Sequence, residues 1–376
     1  MEHYLDNAAT TKPCQEAVQA MQRCVTENYG NPSSLHAKGL AAEHEITRAR
    51  ASIARALNCN SDEILFTSGA TESNNLALQG IAQNYGKRRK KIVSSAVEHA
   101  SVKQTLTYLQ SLGYEIVTIK PREDGAYYAD DFIQAVDDNT CLLSIMLFNN
   151  ETGYRMPVEE VFRAVKRKYP SLITHCDAVQ GFLKVPIHAR TLYADLISIS
   201  AHKVHAVKGV GALYCKKGIR LRPILYGGHQ EKNIRPGTES VPLIAAFGAA
   251  VDALEPTIHL RYDRACTLRD YAIEQLQSIE NLVIRDSPQN SPYILNISVL
   301  GYRSETLLHY LEQQEIYVSS GSACSKGATS GVLEAFGATT QEVDSALRIS
   351  LSAESTQDDI TAFVQTLSQA KANLVH

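Results

Sequence analysis

The chain has 376 residues, 44% of them hydrophobic and 20% charged, with 37 Lys and Arg against 40 Asp and Glu for a net charge of −3. That length predicts two domains, and that charge excludes a general attraction to nucleic acid or to an anionic membrane surface. No uninterrupted apolar stretch reaches the ~18 residues of a bilayer span, and Met1-Glu2-His3-Tyr4 opens without a basic and then apolar leader, so a cytoplasmic protein is expected.

In chain order, residues 13–28 and 36–57 predict helices. Strands are predicted near 63–67, 92–97, 115–119, 142–147, 172–176, 195–199 and 211–215, with helices between them near 71–85, 101–112, 129–136 and 157–168. This alternation predicts an α/β domain with a mostly parallel sheet, whose binding groups collect at the carboxyl ends of the strands. Thr71, His99, Asn150, Asp177 and Lys203 each follow a predicted strand. Residues 256–285 read as a helical crossing, and 296–299 and 316–319 as strands of a smaller domain. Eight cysteines (Cys14, Cys24, Cys59, Cys141, Cys176, Cys215, Cys266 and Cys324) form no C-x-x-C pair and no zinc spacing. They read as reduced thiols, with no metal site expected.

Asp177 ends one apolar run, and Lys203, in Ser200-Ala201-His202-Lys203, follows a later one. A pyridoxal phosphate site needs such a pair: the amine bonds the cofactor covalently and the carboxylate keeps its pyridine nitrogen protonated. Between the strand near 63–67 and the next helix stands Gly69-Ala70-Thr71-Glu72. A strand–Gly–helix junction aims free N–H groups and a helix dipole at an anion, here the cofactor phosphate, with Ser200 and His202 as further donors. The plain alternative is an ordinary glycine turn.

Six ordered motifs carry a resemblance to a known family. They are Tyr4-Leu5-Asp6-Asn7-Ala8-Ala9-Thr10-Thr11, Thr67-Ser68-Gly69-Ala70-Thr71-Glu72-Ser73, Asn149-Asn150-Glu151-Thr152-Gly153, His175-Cys176-Asp177-Ala178-Val179-Gln180, Ser200-Ala201-His202-Lys203 and Ser319-Ser320-Gly321-Ser322-Ala323-Cys324. The chain resembles the cysteine desulfurases, class V pyridoxal phosphate enzymes, from residue 4 to about residue 360. The resemblance implies a fold-type I α/β transferase. Residues 16–255 would form the large domain with a mostly parallel seven-stranded sheet, and 1–15 with 256–376 a smaller α+β domain carrying a mobile catalytic loop. It also implies a homodimer with a shared active site, L-cysteine as substrate, and a sulfur-acceptor protein as partner, either an iron–sulfur scaffold or a tRNA-thiolation enzyme. A selenocysteine lyase and a non-catalytic scaffold paralogue are the alternatives; the intact Lys203, Asp177, His99 and Cys324 set argues against the scaffold.

The resemblance makes Cys324 the residue that takes the substrate sulfur as a persulfide, and its small, polar, glycine-rich surroundings suit an exposed thiol. His99 becomes the ring-stacking acid–base group, against a plain helix-start role. Ala70, Thr71, Asn150, Gln180, Ser200 and His202 become cofactor contacts, and Thr238 a contact to the partner subunit's phosphate. Asn7, Asn150 and Arg348 become substrate contacts. Arg348 sits in an apolar strand-like run, which favours a carboxylate partner; a solvated edge strand is the other reading. Ala206-Val207, His229 and Gly331 depart from the family pattern, and Lys87-Arg88-Arg89-Lys90-Lys91 reads as a solvated turn or an acidic-acceptor docking site.

Overall fold

The structure is a computed structural model that describes residues 2–320 and 331–374. Its strands are β1 (His3–Tyr4), β2 (Ile64–Thr67), β3 (Lys91–Ser95), β4 (Glu115–Ile119), β5 (Thr140–Met146), β6 (Ile173–Asp177), β7 (Leu196–Ser200), β8 (Gly211–Cys215), β9 (Leu282–Arg285), β10 (Ile294–Val299), β11 (Ile316–Tyr317), β12 (Ser319–Ser320) and β13 (Ala346–Ser350). The helices that matter for the site are α1 (Gln15–Thr26), α2 (Ala37–Ala56), α3 (Ala70–Tyr85), α4 (Ala100–Ser111), α5 (Ala129–Ala135), α6 (Val158–Lys168), α7 (Val241–Leu254) and α8 (Ile258–Leu276).

The main sheet has the order β2-β8-β7-β6-β5-β3-β4. Strands β3 to β7 run parallel, and β8 lies antiparallel to both neighbours. Strands β2, β5, β6 and β7 are buried along their whole length, as a sheet covered by helices on both faces requires. This explains why Leu-Ile-Ser-Ile-Ser in β7 reads as a run and not as an alternation. A second sheet, β12-β13-β10-β9, is antiparallel and packs on its own apolar cluster around Leu307, Leu347 and Phe363.

Two elements differ from the sequence reading. The crossing at 256–285 is a helix only as far as Leu276; Leu282–Arg285 is a strand. Residues 316–319 do not form one strand. β11 pairs with β1, whereas β12 pairs with β13 in another sheet. The helical run Val241–Leu276 is long and apolar enough to cross a membrane by composition alone, but half of its apolar window is buried. Within it α7 packs on α1 and α2 and buries Ile244, Phe247 and Val251. Each of these side chains contributes about 1.5–3 kcal/mol on leaving water.

The basic run is partly anchored: Lys91 opens β3 and pairs with Asp137 at 2.9 Å, and Lys90 lies over the Tyr114 ring. Gly331 has φ 68°, a left-handed conformation that suits glycine and strains a side chain.

Candidate active site

Where β5, β6 and β7 end, side chains converge on a cavity of about 700 Å³. Lys203 lies on the single turn Ala201–Lys203 that leaves β7. Its Nζ donates to the carbonyls of Ala8 and Ala9, at 2.6 Å each. The N-terminal segment is held against this turn along its length. Thr11 N donates to His202 O at 2.9 Å, His205 N donates to Thr11 Oγ1 at 2.7 Å, and Cys14 N donates to His205 O at 2.8 Å. Burial lowers the Lys203 ammonium to about 8, with Arg348 acting in the same sense and Asp6 and Asp177 opposing. An appreciable fraction of the amine is therefore uncharged near neutral pH, which suits it to act as nucleophile and base.

Asp177 ends β6 and is buried. Its Oδ2 accepts from Asn74 Nδ2 at 2.8 Å and its Oδ1 from Val179 N at 3.1 Å. Asn74 comes from α3 and is fully buried; its Nδ2 also donates to Ser101 Oγ at 2.8 Å. Asparagine is a poor residue for a helix interior. Its work here is to aim the carboxylate.

His99 is the N-cap of α4, and its Nδ1 accepts from Ser101 N at 3.1 Å. The capping reading and the cavity reading are thus both met by one ring, because Nδ1 caps and Nε2 stays able to exchange a proton. Burial lowers its pKa below the usual histidine value, and the Asp177 charge opposes this. His202, with Nδ1 at 3.2 Å from Thr10 Oγ1, is lowered to about 4 by burial and then by Lys203, so it is neutral at working pH.

The cradle at the start of α3 depends on two glycines. A Cβ on Gly211 would meet Gly69 Cα at 2.7 Å, so β8 can press this close only without a side chain. Beside Gly69 a Cβ would meet nothing within 4 Å, which leaves its face open to a ligand. Glu72 lines the same space. Burial alone would raise its pKa, but hydrogen bonds from Arg235 and Ser68 outweigh that and hold it below the usual carboxylate value. Arg235 Nε lies 2.9 Å from Glu72 Oε1 and Ser68 N lies 2.6 Å from Oε2.

Arg348 lies in β13 between β12 and β10, not on an edge, and is 6% exposed, so the solvated reading falls. Its Nη2 donates to Asp6 Oδ1 at 2.8 Å and its Nη1 to Asn150 O at 2.9 Å, while Nε is buried with no partner among the described residues. The fork is already half occupied from within the chain.

The cavity brings together Ala70, Thr71, His99, Asn150, Asp177, Gln180, Ser200, His202, Lys203 and Arg348. It does not include Asn7, whose Nδ2 is spent on the carbonyls of Tyr4 at 3.1 Å and Ser350 at 2.9 Å. Thr238 is exposed and away from the cavity of its own chain. The loop before it is held by Glu231, which takes the Arg50 fork at 2.6 and 2.9 Å and accepts from Phe66 N at 3.0 Å. Glu231, Lys232 and Asn233 all take left-handed φ values of 43°, 60° and 62°. That strain costs roughly 1–2 kcal/mol per residue and is retained because these contacts over-determine the turn. Cys324 lies outside the described residues. Missed in the sequence were Asn74, Glu72 and Lys184; the one available signal was a run of polar residues, Ser73-Asn74-Asn75, inside an apolar helix.

The fold and this site define an enzyme of the pyridoxal phosphate type, and the class V aminotransferase family model matches residues 3–363. A cysteine desulfurase IscS of Dictyoglomus turgidum is 37% identical over 370 residues, covering 97% of this chain and 93% of its own. A solved NifS-like protein superposes with a TM-score of 0.94 at 34% identity, with all of both chains covered. SspA, solved in complex with cysteine, superposes with a TM-score of 0.81 at 28% identity, covering 93% of this chain and 99% of its own. The chain belongs to the class V aminotransferase family and, within it, to the cysteine desulfurases. The residues present fit pyridoxal phosphate: a half-buried lysine amine whose pKa is lowered to about 8, a buried carboxylate aimed by Asn74, and a helix N-terminus open beside Gly69.

Proposed function

We propose that the cavity holds pyridoxal phosphate on Lys203 and converts L-cysteine to L-alanine, with the sulfur captured on Cys324. The observation that carries this reading is the half-buried Lys203 amine, its pKa lowered, facing the same cavity as the Asn74-aimed Asp177. Bound cofactor supplies an electron sink for the substrate Cα. Lys203 Nζ then moves the Cα proton, and His99 Nε2 takes or returns a second proton. Ala70, Thr71, Ser200 and His202 hold the phosphate end, and Asp177 holds the pyridine nitrogen. Asn150 lines the substrate side. Arg348 lines the cavity and holds the substrate carboxylate through its Nη atoms, with Asp6 fixing the guanidinium. A Cys324 thiolate attacks the cysteine sulfur, the Cβ–S bond breaks, and alanine leaves once Cβ has taken a proton. The seven described cysteines are all free thiols raised above their ordinary pKa by burial, which leaves none of them activated for this attack.

A homodimer accounts for the exposed Thr238 and its braced loop, which then serve the partner's phosphate. Free thiols suit a cytoplasmic enzyme. An iron–sulfur scaffold or a tRNA-thiolation enzyme is the acceptor. The reading is tested by incubating holoenzyme with L-cysteine and a thiol reductant. Alanine and sulfide should form in equal amounts; pyruvate in place of alanine would overturn it.

Arg348→Ala should lower kcat/KM for cysteine by about 10- to 150-fold, mainly through KM, since a charge-assisted hydrogen bond contributes ~1.5–3 kcal/mol. It also frees Asp6, so Asp6→Ala should raise KM less and leave cofactor content unchanged. Equal kcat/KM in wild type and Arg348→Ala would place the carboxylate anchor elsewhere.

A further inference from the structure

Lys184 is 7% exposed. Its Nζ donates to Gln180 Oε1 at 2.8 Å and lies 5.8 Å from the Tyr293 ring centroid. Among the described residues no carboxylate is within ion-pair distance of it. The titratable and charged groups that face it are Lys203, Arg348, His202, His205, Arg261 and Tyr293, three of them cations in their ordinary state. Burial, then Lys203 and Arg348, lower it to about 7. Keeping a lysine in such surroundings costs stability, and a leucine or methionine would fill the space more cheaply.

Gln180 shows what the lysine does. In its protonated form Lys184 has donors only, and the Gln180 amide turns Oε1 toward it. Nε2 then faces the other way, where it donates to Ala8 O at 3.0 Å. That carbonyl also accepts from Lys203 Nζ. Gln180 lines the cavity, and its second N–H remains to donate to an acceptor there. Without Lys184, Oε1 would be a buried carbonyl with no donor, and the side chain would lose one of its two anchors.

We propose that Lys184 is a positioning residue that locks the Gln180 amide so that its N–H, not its carbonyl, meets an anionic ring oxygen of the bound cofactor. The inference rests on the reading of the cavity as a pyridoxal phosphate site. A hydrogen bond to an anion favours its deprotonated form. The midpoint of the pH titration of the bound cofactor's absorption reads that bond directly.

Lys184→Met should move this midpoint up by about one pH unit, the tenfold change that one lost hydrogen bond produces. Gln180→Ala should move it equally, and the double variant no further. A wild-type midpoint in folded Lys184→Met, or shifts that add in the double variant, would overturn the proposal. Lys184→Gln keeps an N–H donor without a buried charge and serves if the methionine variant does not fold. Its midpoint should stay near wild type, and one displaced as far as that of Gln180→Ala would also overturn it. Absence of any cofactor band in wild type would sink the reading of the cavity, and this inference with it, whereas a titrating band that Lys184→Met leaves in place sinks the inference alone.

Discussion

Lys203→Ala is expected to abolish alanine production, by at least about a thousandfold, and to remove the absorption of covalently held cofactor. Two roles vanish together. The amine that anchors the cofactor is lost, and so is the base that moves the Cα proton. The geometry makes the loss specific. Lys203 Nζ is seated on the Ala8 and Ala9 carbonyls, and the other lysines that line or adjoin the cavity are differently placed. Lys208 is exposed at its mouth, and Lys184 is committed to Gln180. Neither can replace it. The variant should still fold, because the carbonyls it leaves unpaired border a cavity that water can enter. Absorbance spectra and an alanine assay check this. A retained covalent band with steady turnover would mean that another amine holds the cofactor.

Cys324→Ala should leave the cofactor spectrum intact and reduce sulfur delivery to thiol acceptors by at least about a hundredfold. The cofactor contacts come from the ends of β5 to β7 and the start of α3, all far from Cys324 in the chain. Protons therefore still move at Cα, and exchange of the Cα hydrogen with solvent deuterium should persist while alanine formation stops. That split separates a sulfur acceptor from a structural cysteine. Loss of both exchange and cofactor binding would mean that the substitution disturbs the fold instead.

Much of this site is legible in the amino-acid sequence, for a physical reason. Parallel strands covered on both faces read as uninterrupted apolar runs, so their ends can be located, and Asp177, Lys203 and His99 fall at those ends. Side chains that carry rare chemistry announce themselves by type. Backbone groups do not. The Ala8 and Ala9 carbonyls that seat Lys203 belong to residues with no chemical signature, and β1 has only two residues. Asp6 and Arg348 stand 342 positions apart, and only their 2.8 Å contact shows that the guanidinium is held from inside the chain. Asn7 stands outside the cavity for the same reason, since its amide N–H groups are spent on two carbonyls that no motif marks. Leu282–Arg285 escapes a reading by pattern because its four residues are only half-buried and follow a long helix without a strong break.

The most direct test of the account is to treat holoenzyme with L-cysteine in the absence of reductant, digest it, and locate the added sulfur by mass spectrometry while counting alanine. The account predicts one extra sulfur atom on the peptide containing Cys324 and one alanine per sulfur bound. Sulfur on one of the seven buried or half-buried cysteines, or alanine released with no sulfur on the protein, would contradict it.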